Sequence, residues 1–219
     1  MRMLAIGDIH GCRVALENLA NYVGFQEDDL IVTLGDYIDR GPDSKGVIDF
    51  LIELQQRHQV ITLRGNHEVM MLAAREAMNP TRWLAAGGDE TLESYQAKDW
   101  DNIPESHWEF LKKTRRTFET DGNLFVHANL DPGKSLDQQD DLTVFWKFLE
   151  DPEPHLSGKV MICGHSETGE IPLNLGHAIC IDTGAYKNGW LTCLNVVTGN
   201  YWQANEAGKR RTGNLGLKG

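Results

Sequence analysis

The chain lacks what would tie it to a membrane, a polyanion or a disulfide framework. No run of apolar residues approaches the roughly 20 that a membrane-spanning helix needs. Basic residues are in deficit, 21 against 32 acidic, and the formal net charge is −11. Such a surface repels phosphate backbones and anionic headgroups at long range, which argues against nucleic acid or a membrane as partner. Cysteine is sparse: Cys12, Cys163, Cys180 and Cys193 are widely spaced, with no C-x-x-C pair. They read as reduced thiols, mostly packed in strands, although Cys12 stands apart by directly following Gly11. A secretory signal is not expected, because Asp8 interrupts the first apolar run after a few residues. A cytoplasmic location is the corresponding expectation. No internal repeat, low-complexity tract or linker divides the chain, so a single domain over residues 1–205 is expected, followed by a polar, Gly-rich tail at 206–219.

What is present is a series of short apolar runs rich in Val, Ile and Leu, at residues 3–6, 30–34, 60–63, 124–126 and 160–163. These have the composition of buried strands. Further strands are expected at 178–181, 190–197 and about 201–204. Amphipathic patterns at 13–23 and 44–57 predict helices, with Ser44 as N-cap of the second. Residues 67 to about 118 read as mostly helical, broken at Asn79-Pro80 and looped near Gly87-Gly88 and Ile103-Pro104. The early βαβαβ rhythm implies an α/β protein, and the strand-dense second half suggests a second sheet.

The informative pattern lies just past the end of each strand. The first strand leads into Gly7-Asp8-Ile9-His10-Gly11 and the second into Gly35-Asp36-Tyr37-Ile38-Asp39-Arg40-Gly41. The third leads into Arg64-Gly65-Asn66-His67-Glu68, the fourth into His127-Ala128-Asn129, and the fifth into Gly164-His165. Five strands each deliver a metal-capable side chain just past the carboxyl end, where open α/β sheets place their ligand crevices. Carboxylates mixed with imidazoles and one amide suit Mn, Fe or Zn better than a thiolate site would. Asp8 and His10 are two apart, so an extended backbone would point both to one side. Taken singly, each motif has a bland reading: a Gly-Asp is usually a turn, and a lone His is usually hydrogen-bonded. Repetition at five successive strand ends is what the bland reading does not explain.

These motifs resemble those of the phosphoprotein phosphatase family of metallophosphoesterases, and most of all its small bacterial and phage branch, which includes the symmetrical diadenosine tetraphosphatases. The resemblance spans residues 7 to about 184. It implies an α/β, calcineurin-like fold: two mixed β-sheets packed as a sandwich, flanked by helices, with a helical cap inserted at about 70–120. It also implies two divalent metal ions, Mn foremost, with Fe or Zn as alternatives. Asp8 and His10 would hold the first metal, Asp36 would bridge, and Asn66, His127 and His165 would hold the second. His107, His155 and His177 are set aside because they do not follow strand ends. A metal-bridging hydroxide would attack phosphorus, with His67 as general acid oriented by Asp39, and Arg40 would bind the phosphoryl oxygens. Glu68 would support its loop through hydrogen bonds.

One departure from the family pattern concerns substrate binding. Relatives usually supply a second Arg, often just after a Trp, whereas here Lys147 follows Trp146 and no arginine lies between Arg116 and Arg210. Lys147 is either a point-charge substitute or a plain surface lysine. Residues 83–95 resemble the family's cap, or are ordinary helix–loop–helix packing. The implied activity is hydrolysis of phosphomonoesters, on phosphorylated protein or peptide or a small phosphoester. The alternatives are hydrolysis of dinucleoside polyphosphates and a non-catalytic metal-binding scaffold, the latter disfavoured because every expected ligand position is filled. Nothing in the sequence sets an oligomeric state.

Overall fold

A computed structural model describes residues 1–217. The first half runs β1 (Met3–Ile6), α1 (Arg13–Val23), β2 (Leu30–Thr33), α2 (Ser44–Arg57), β3 (Gln59–Thr62) and α3 (Asn66–Glu76). A strand-free stretch comes next, with α4 (Thr81–Trp83), a π-helical turn (Leu84–Gly88), α5 (Asp89–Ser94), a 3-10 turn (Trp100–Asn102) and α6 (Glu105–Lys113). Beyond it lie β4 (Thr117–Glu119), β5 (Asn123–Val126), α7 (Asp141–Trp146), β6 (Val160–Cys163), β7 (Leu173–Asn174) and β8 (Ala178–Cys180). The chain then closes with β9 (Leu191–Asn195), β10 (Asn200–Ala204) and β11 (Arg210–Asn214).

The strands form two mixed sheets, ordered β11-β10-β9-β1-β2-β3 and β4-β5-β6-β8-β7. Strands β1, β2 and β3 run parallel, as do β5, β6 and β8. Side chains alternate across each strand, and that period of two sorts the core into layers. Ala5, Val32, Phe125, Ile162, Ile179 and Leu194 meet between the sheets. Their strand neighbours Leu4, Ile6 and Ile31 turn outward against α1 and α2. On the far sheet, Leu124, Val126, Met161 and Cys180 turn outward toward Val144 and Phe145 of α7. Both faces of the central strands are therefore buried, which explains their unbroken apolar runs. No helix of the described residues is long and apolar enough to cross a membrane.

Several expectations need correction. Asp43, not Ser44, caps α2, accepting a hydrogen bond from the Gly46 amide at 2.8 Å. Ser44 is buried, and its hydroxyl instead accepts from the Asp39 amide at 3.0 Å. The expected break near Gly87-Gly88 is present as a kink: Gly87 has φ 109° within an otherwise π-helical turn. Thr117 and Phe118 are strand, paired with β5, because Phe118 packs against Phe125 with ring centroids 5.8 Å apart. Residues 206–217 are not a loose tail: Arg210–Asn214 is β11, paired along its length with β10. Its polar side chains have partners. Arg211 Nε donates to Gln203 at 2.7 Å, and the guanidinium lies 4.1 Å from the Trp190 ring centroid. The rest of that predicted tail, residues 218–219, lies outside the described residues. All four cysteines are free and buried, and burial pushes the Cys12 thiol up to about 12, so Cys12 is a packing residue like the others.

Candidate dinuclear metal site

The carboxyl ends of β1, β2, β3, β5 and β6 converge on one rim, and the turns beyond them bring together Asp8, His10, Asp36, Asn66, His127 and His165. Ligand-capable atoms of His10, Asp36 and His67 form one cluster, and those of Asp36, His127 and His165 a second, each within 4.8 Å. Asp36 belongs to both. His10 Nε2 is 3.3 Å from Asp36 Oδ2, and His127 Nε2 is 3.5 Å from Asp36 Oδ1. Asn66 Oδ1 lies 2.9 Å from His127 Nε2 and 3.1 Å from His165 Nδ1. The two oxygens of Asp8 accept the His165 amide at 3.2 and 3.1 Å.

The turns are strained to achieve this. Among the described residues, nine non-glycine residues have positive φ, and five of them are His10, Asp36, Asp39, Arg40 and His165. Left-handed backbone is costly for such residues, and its concentration on one rim marks a site built against local preference. His10 at φ 46° is therefore not extended, and it reaches the cluster with Asp8 through a turn instead. Gly65 is required because any Cβ there would strike the Asp36 carboxylate and amide. Glu68, fully buried, accepts the amides of Gly65, Asp36 and Tyr37, all at 2.8 Å, and so ties the second and third motifs.

The hydrogen-bond directions show what the cluster is built to hold. A carbonyl can only accept, so His10 Nδ1 donates to Ile38 O at 2.9 Å, and His127 Nδ1 donates to Leu34 O at 2.9 Å. His165 Nε2 likewise donates to Trp146 O at 3.2 Å. Each imidazole thereby spends one N–H on the backbone and aims its other nitrogen at Asp36 or Asn66. Burial pulls the pKa of His127 down to about 4 and lowers that of His165, so both are neutral near pH 7. Burial raises the pKa of Asp36, but the imidazoles packed around it, among them His10 with Nε2 at 3.3 Å, lower it, and the lowering prevails. His127 Nε2 thus faces an ionised carboxylate lone pair to lone pair, an arrangement a cation between them satisfies. Burial, then Asp182 and Asp36, raise the pKa of Asp8 well above the usual carboxylate range. The donor set fits two divalent cations sharing Asp36.

A family model described as calcineurin-like phosphoesterase matches residues 1–196. The chain belongs to that family. It is 45% identical over 85 residues to serine/threonine-protein phosphatase 1 of Salmonella typhimurium, a match covering 38% of each protein. It is 38% identical over 130 residues to a symmetrical bis(5'-nucleosyl)-tetraphosphatase of Legionella pneumophila, covering 58% of this chain and 44% of that protein. The matched part of the chain thus spans less than half the length of these relatives. In structure it resembles the cold-active protein-tyrosine phosphatase of a Shewanella species, with TM-score 0.73 and 18% identity over 96% of this chain and 80% of that one.

Beside the ligand cluster of this calcineurin-like phosphoesterase, His67 Nδ1 bonds Asp39 Oδ2 at 2.7 Å, and His67 Nε2 is buried with no hydrogen-bond partner among the described residues. Asp39 is anchored by Trp83 Nε1 at 2.9 Å and by the Thr91 hydroxyl, which donates to Oδ1 at 2.7 Å. Trp83 and Thr91 come from the strand-free stretch, which therefore reaches the site through Asp39. A cleft of about 190 Å³ opens over the cluster. Arg40 lines it, with Nη1 3.3 Å from His10 Nε2. Lys147 is exposed just past the end of α7, while its neighbour Phe148 lines the cleft and stacks on His165 at 4.9 Å. His107, His155 and His177 bond Asp49, Lys134 O and Pro152 O respectively, away from the cluster.

Five cleft residues escaped the sequence: Phe148, Glu167, Asp182, Tyr186 and Lys187. Burial pushes Asp182 up to about 6. Asp182 stands two residues past Cys180, the end of β8, as Asp8 stands two past Ile6. The strand-end rule, extended to the sixth apolar run, finds it.

Proposed function

We propose that this chain is a metal-dependent phosphatase that hydrolyses phosphomonoesters on protein or peptide, with Asp8, His10, Asp36, Asn66, His127 and His165 holding two divalent ions, Mn in the first instance. The observation that carries the reading is the convergence of two groups of ligand-capable atoms on the buried Asp36 carboxylate, with His10 Nε2 at 3.3 Å on one side and His127 Nε2 at 3.5 Å on the other, each imidazole oriented by its contact to a backbone carbonyl. Two such ions, when bound, supply an activated water and neutralise charge on the phosphoryl group. The protein's own groups do the rest. Arg40 presents a planar fork at the cleft wall, suited to two phosphoryl oxygens. His67 delivers a proton from Nε2 to the leaving oxygen, and Asp39 keeps the opposite nitrogen engaged so that Nε2 faces the reaction.

Support for a phosphoprotein substrate comes from the 45% identity over 85 residues to a serine/threonine-protein phosphatase. A dinucleoside polyphosphate is the second reading, favoured by the longer sequence match to a bis(5'-nucleosyl)-tetraphosphatase. A side-by-side assay of Mn-loaded protein on phosphopeptides and diadenosine tetraphosphate, with metal content measured, separates the two. Phosphopeptide turnover that depends on metal is expected. Turnover of the nucleotide alone would overturn the proposal.

A further inference from the structure

We infer that Lys187 is the second phosphate-binding cation of the cleft, and that Glu167 is an internal counter-ion which the substrate's phosphoryl group displaces. This rests on the phosphatase reading of the same cleft.

The cleft is lined by Arg40 and Lys187, two permanently charged cationic side chains. They are joined by a chain of contacts across its mouth. Lys187 Nζ bonds Glu167 Oε1 at 2.7 Å, and the Tyr186 hydroxyl donates to the same oxygen at 3.2 Å. Arg40 Nη1 in turn donates to the Tyr186 hydroxyl at 3.2 Å, and its guanidinium carbon lies 4.9 Å from the Tyr186 ring centroid. One carboxylate oxygen therefore gathers, directly or through Tyr186, both cations that face the ligand cluster. An anion there repels an incoming phosphate unless it gives way.

It can give way. The side chains of Lys187 and Glu167 are 57% and 37% exposed, and an ion pair in such surroundings is weak and screened. The backbone beneath is not loose. The Thr168 amide donates to Asp182 O at 2.9 Å, joining the Glu167 segment to the turn that carries Lys187. That turn, Ala185–Lys187, is closed by the Lys187 amide donating to Gly184 O at 3.0 Å. Fixed loops with movable charged tips are the arrangement expected of a clamp that exchanges an internal carboxylate for a doubly charged phosphate.

Calorimetric titration of Mn-loaded protein with inorganic phosphate tests this, using wild type, Glu167→Gln, Lys187→Met and the double variant, each checked for metal content and thermal unfolding. Glu167→Gln is expected to tighten phosphate several-fold, because the competing anion is gone. Lys187→Met alone leaves an unpaired carboxylate at the mouth, so the decisive comparison is within the Glu167→Gln background. There, Lys187→Met should weaken phosphate about tenfold. Equal affinity of the double variant and Glu167→Gln would overturn the role of Lys187. Unchanged or weaker binding by Glu167→Gln would overturn the counter-ion role, and no phosphate binding by wild type would overturn both. Hydrolysis of an aryl phosphate is measured in parallel: an inactive wild type that binds phosphate with the expected ratios refutes the phosphatase reading alone.

Discussion

Thr91→Val exchanges a hydroxyl for a methyl of similar volume and tests how far Asp39 depends on its anchors. Asp39 is fully buried. Its Oδ1 accepts from Thr91 at 2.7 Å and from Trp83 at 2.9 Å, and its amide reaches the Thr91 and Ser44 hydroxyls at 2.9 and 3.0 Å. Valine removes one donor to the carboxylate and one acceptor for the amide, and Ser44 still serves the amide. A hydrogen bond to a charged group is worth about 1.5–3 kcal/mol, so a loss of about 2 kcal/mol in stability is expected. For a chain of this length that is a fall in Tm of about 4–8 °C, read by thermal unfolding of the Mn-loaded protein. The functional consequence passes through His67. A carboxylate whose only anchor besides His67 itself is Trp83 has freedom to rotate, and a misaimed imidazole delivers its proton less often. Phosphopeptide hydrolysis should slow about tenfold, equivalent to about 1.4 kcal/mol in the barrier. An activated aryl phosphate, whose leaving oxygen needs little protonation, should lose much less. Thr91→Ser keeps the hydroxyl and should restore the phosphopeptide rate. Equal losses on the two substrates, or a serine variant no better than valine, would refute the chain from Thr91 through Asp39 to His67.

Two further outcomes are expected. Gly87 sits at φ 109°, and a Cβ there would come within 2.9 Å of the Arg40 amide nitrogen and Cγ, while the Arg40 amide donates to Gly87 O at 3.1 Å. Gly87→Ala should therefore displace Arg40 and raise KM about tenfold with metal content intact; an unchanged KM in steady-state assays would show that this turn does not position Arg40. Removing metal with a chelator should lower Tm, and restoring Mn should raise it more at pH 8 than at pH 5.5. Burial raises the pKa of Asp8, and that of Asp182 to about 6. Acids with raised pKa values stabilise the metal-free fold below their unfolded values and lose that stabilisation as pH rises through the folded ones. The uncompensated charge that metal neutralises is thus largest above pH 6, and equal Tm gains at the two pH values would show that these carboxylates do not feel the metals.

The sequence carried the site where the chemistry is local. Asp8, Asp36 and Asn66 each come a few residues after a parallel strand; burial makes β1 and β2 visible as apolar runs, and β3, a partly exposed edge strand, shows through Val60 and Ile61. His127 and His165 can be chosen over the other histidines by the same rule, since β5 ends immediately before His127 and β6 ends two residues before His165. The rule failed where strands were not apolar. Arg210–Asn214 is a polar edge strand, stabilised by β10 and by Arg211 contacts with Gln203 and Glu170 that no local pattern announces.

The same limit explains why the cations of the cleft were harder to read than its metal ligands. A ligand set is specified by donor type at a strand end, and both can be seen in a short motif. A phosphate clamp needs only a positive charge at the right place, and that place is set by contacts between segments far apart in the chain. Lys147 is singled out by its neighbour in sequence, Trp146, yet it is exposed just past the end of α7, and it is Phe148 that lies against His165. Lys187 lies in a turn after β8 with nothing in its flanking residues to distinguish it. It becomes a cleft residue only because the sandwich brings the Glu167 segment, that turn and Arg40 around one opening, so the charge that substrate meets is a property of the packed sheets.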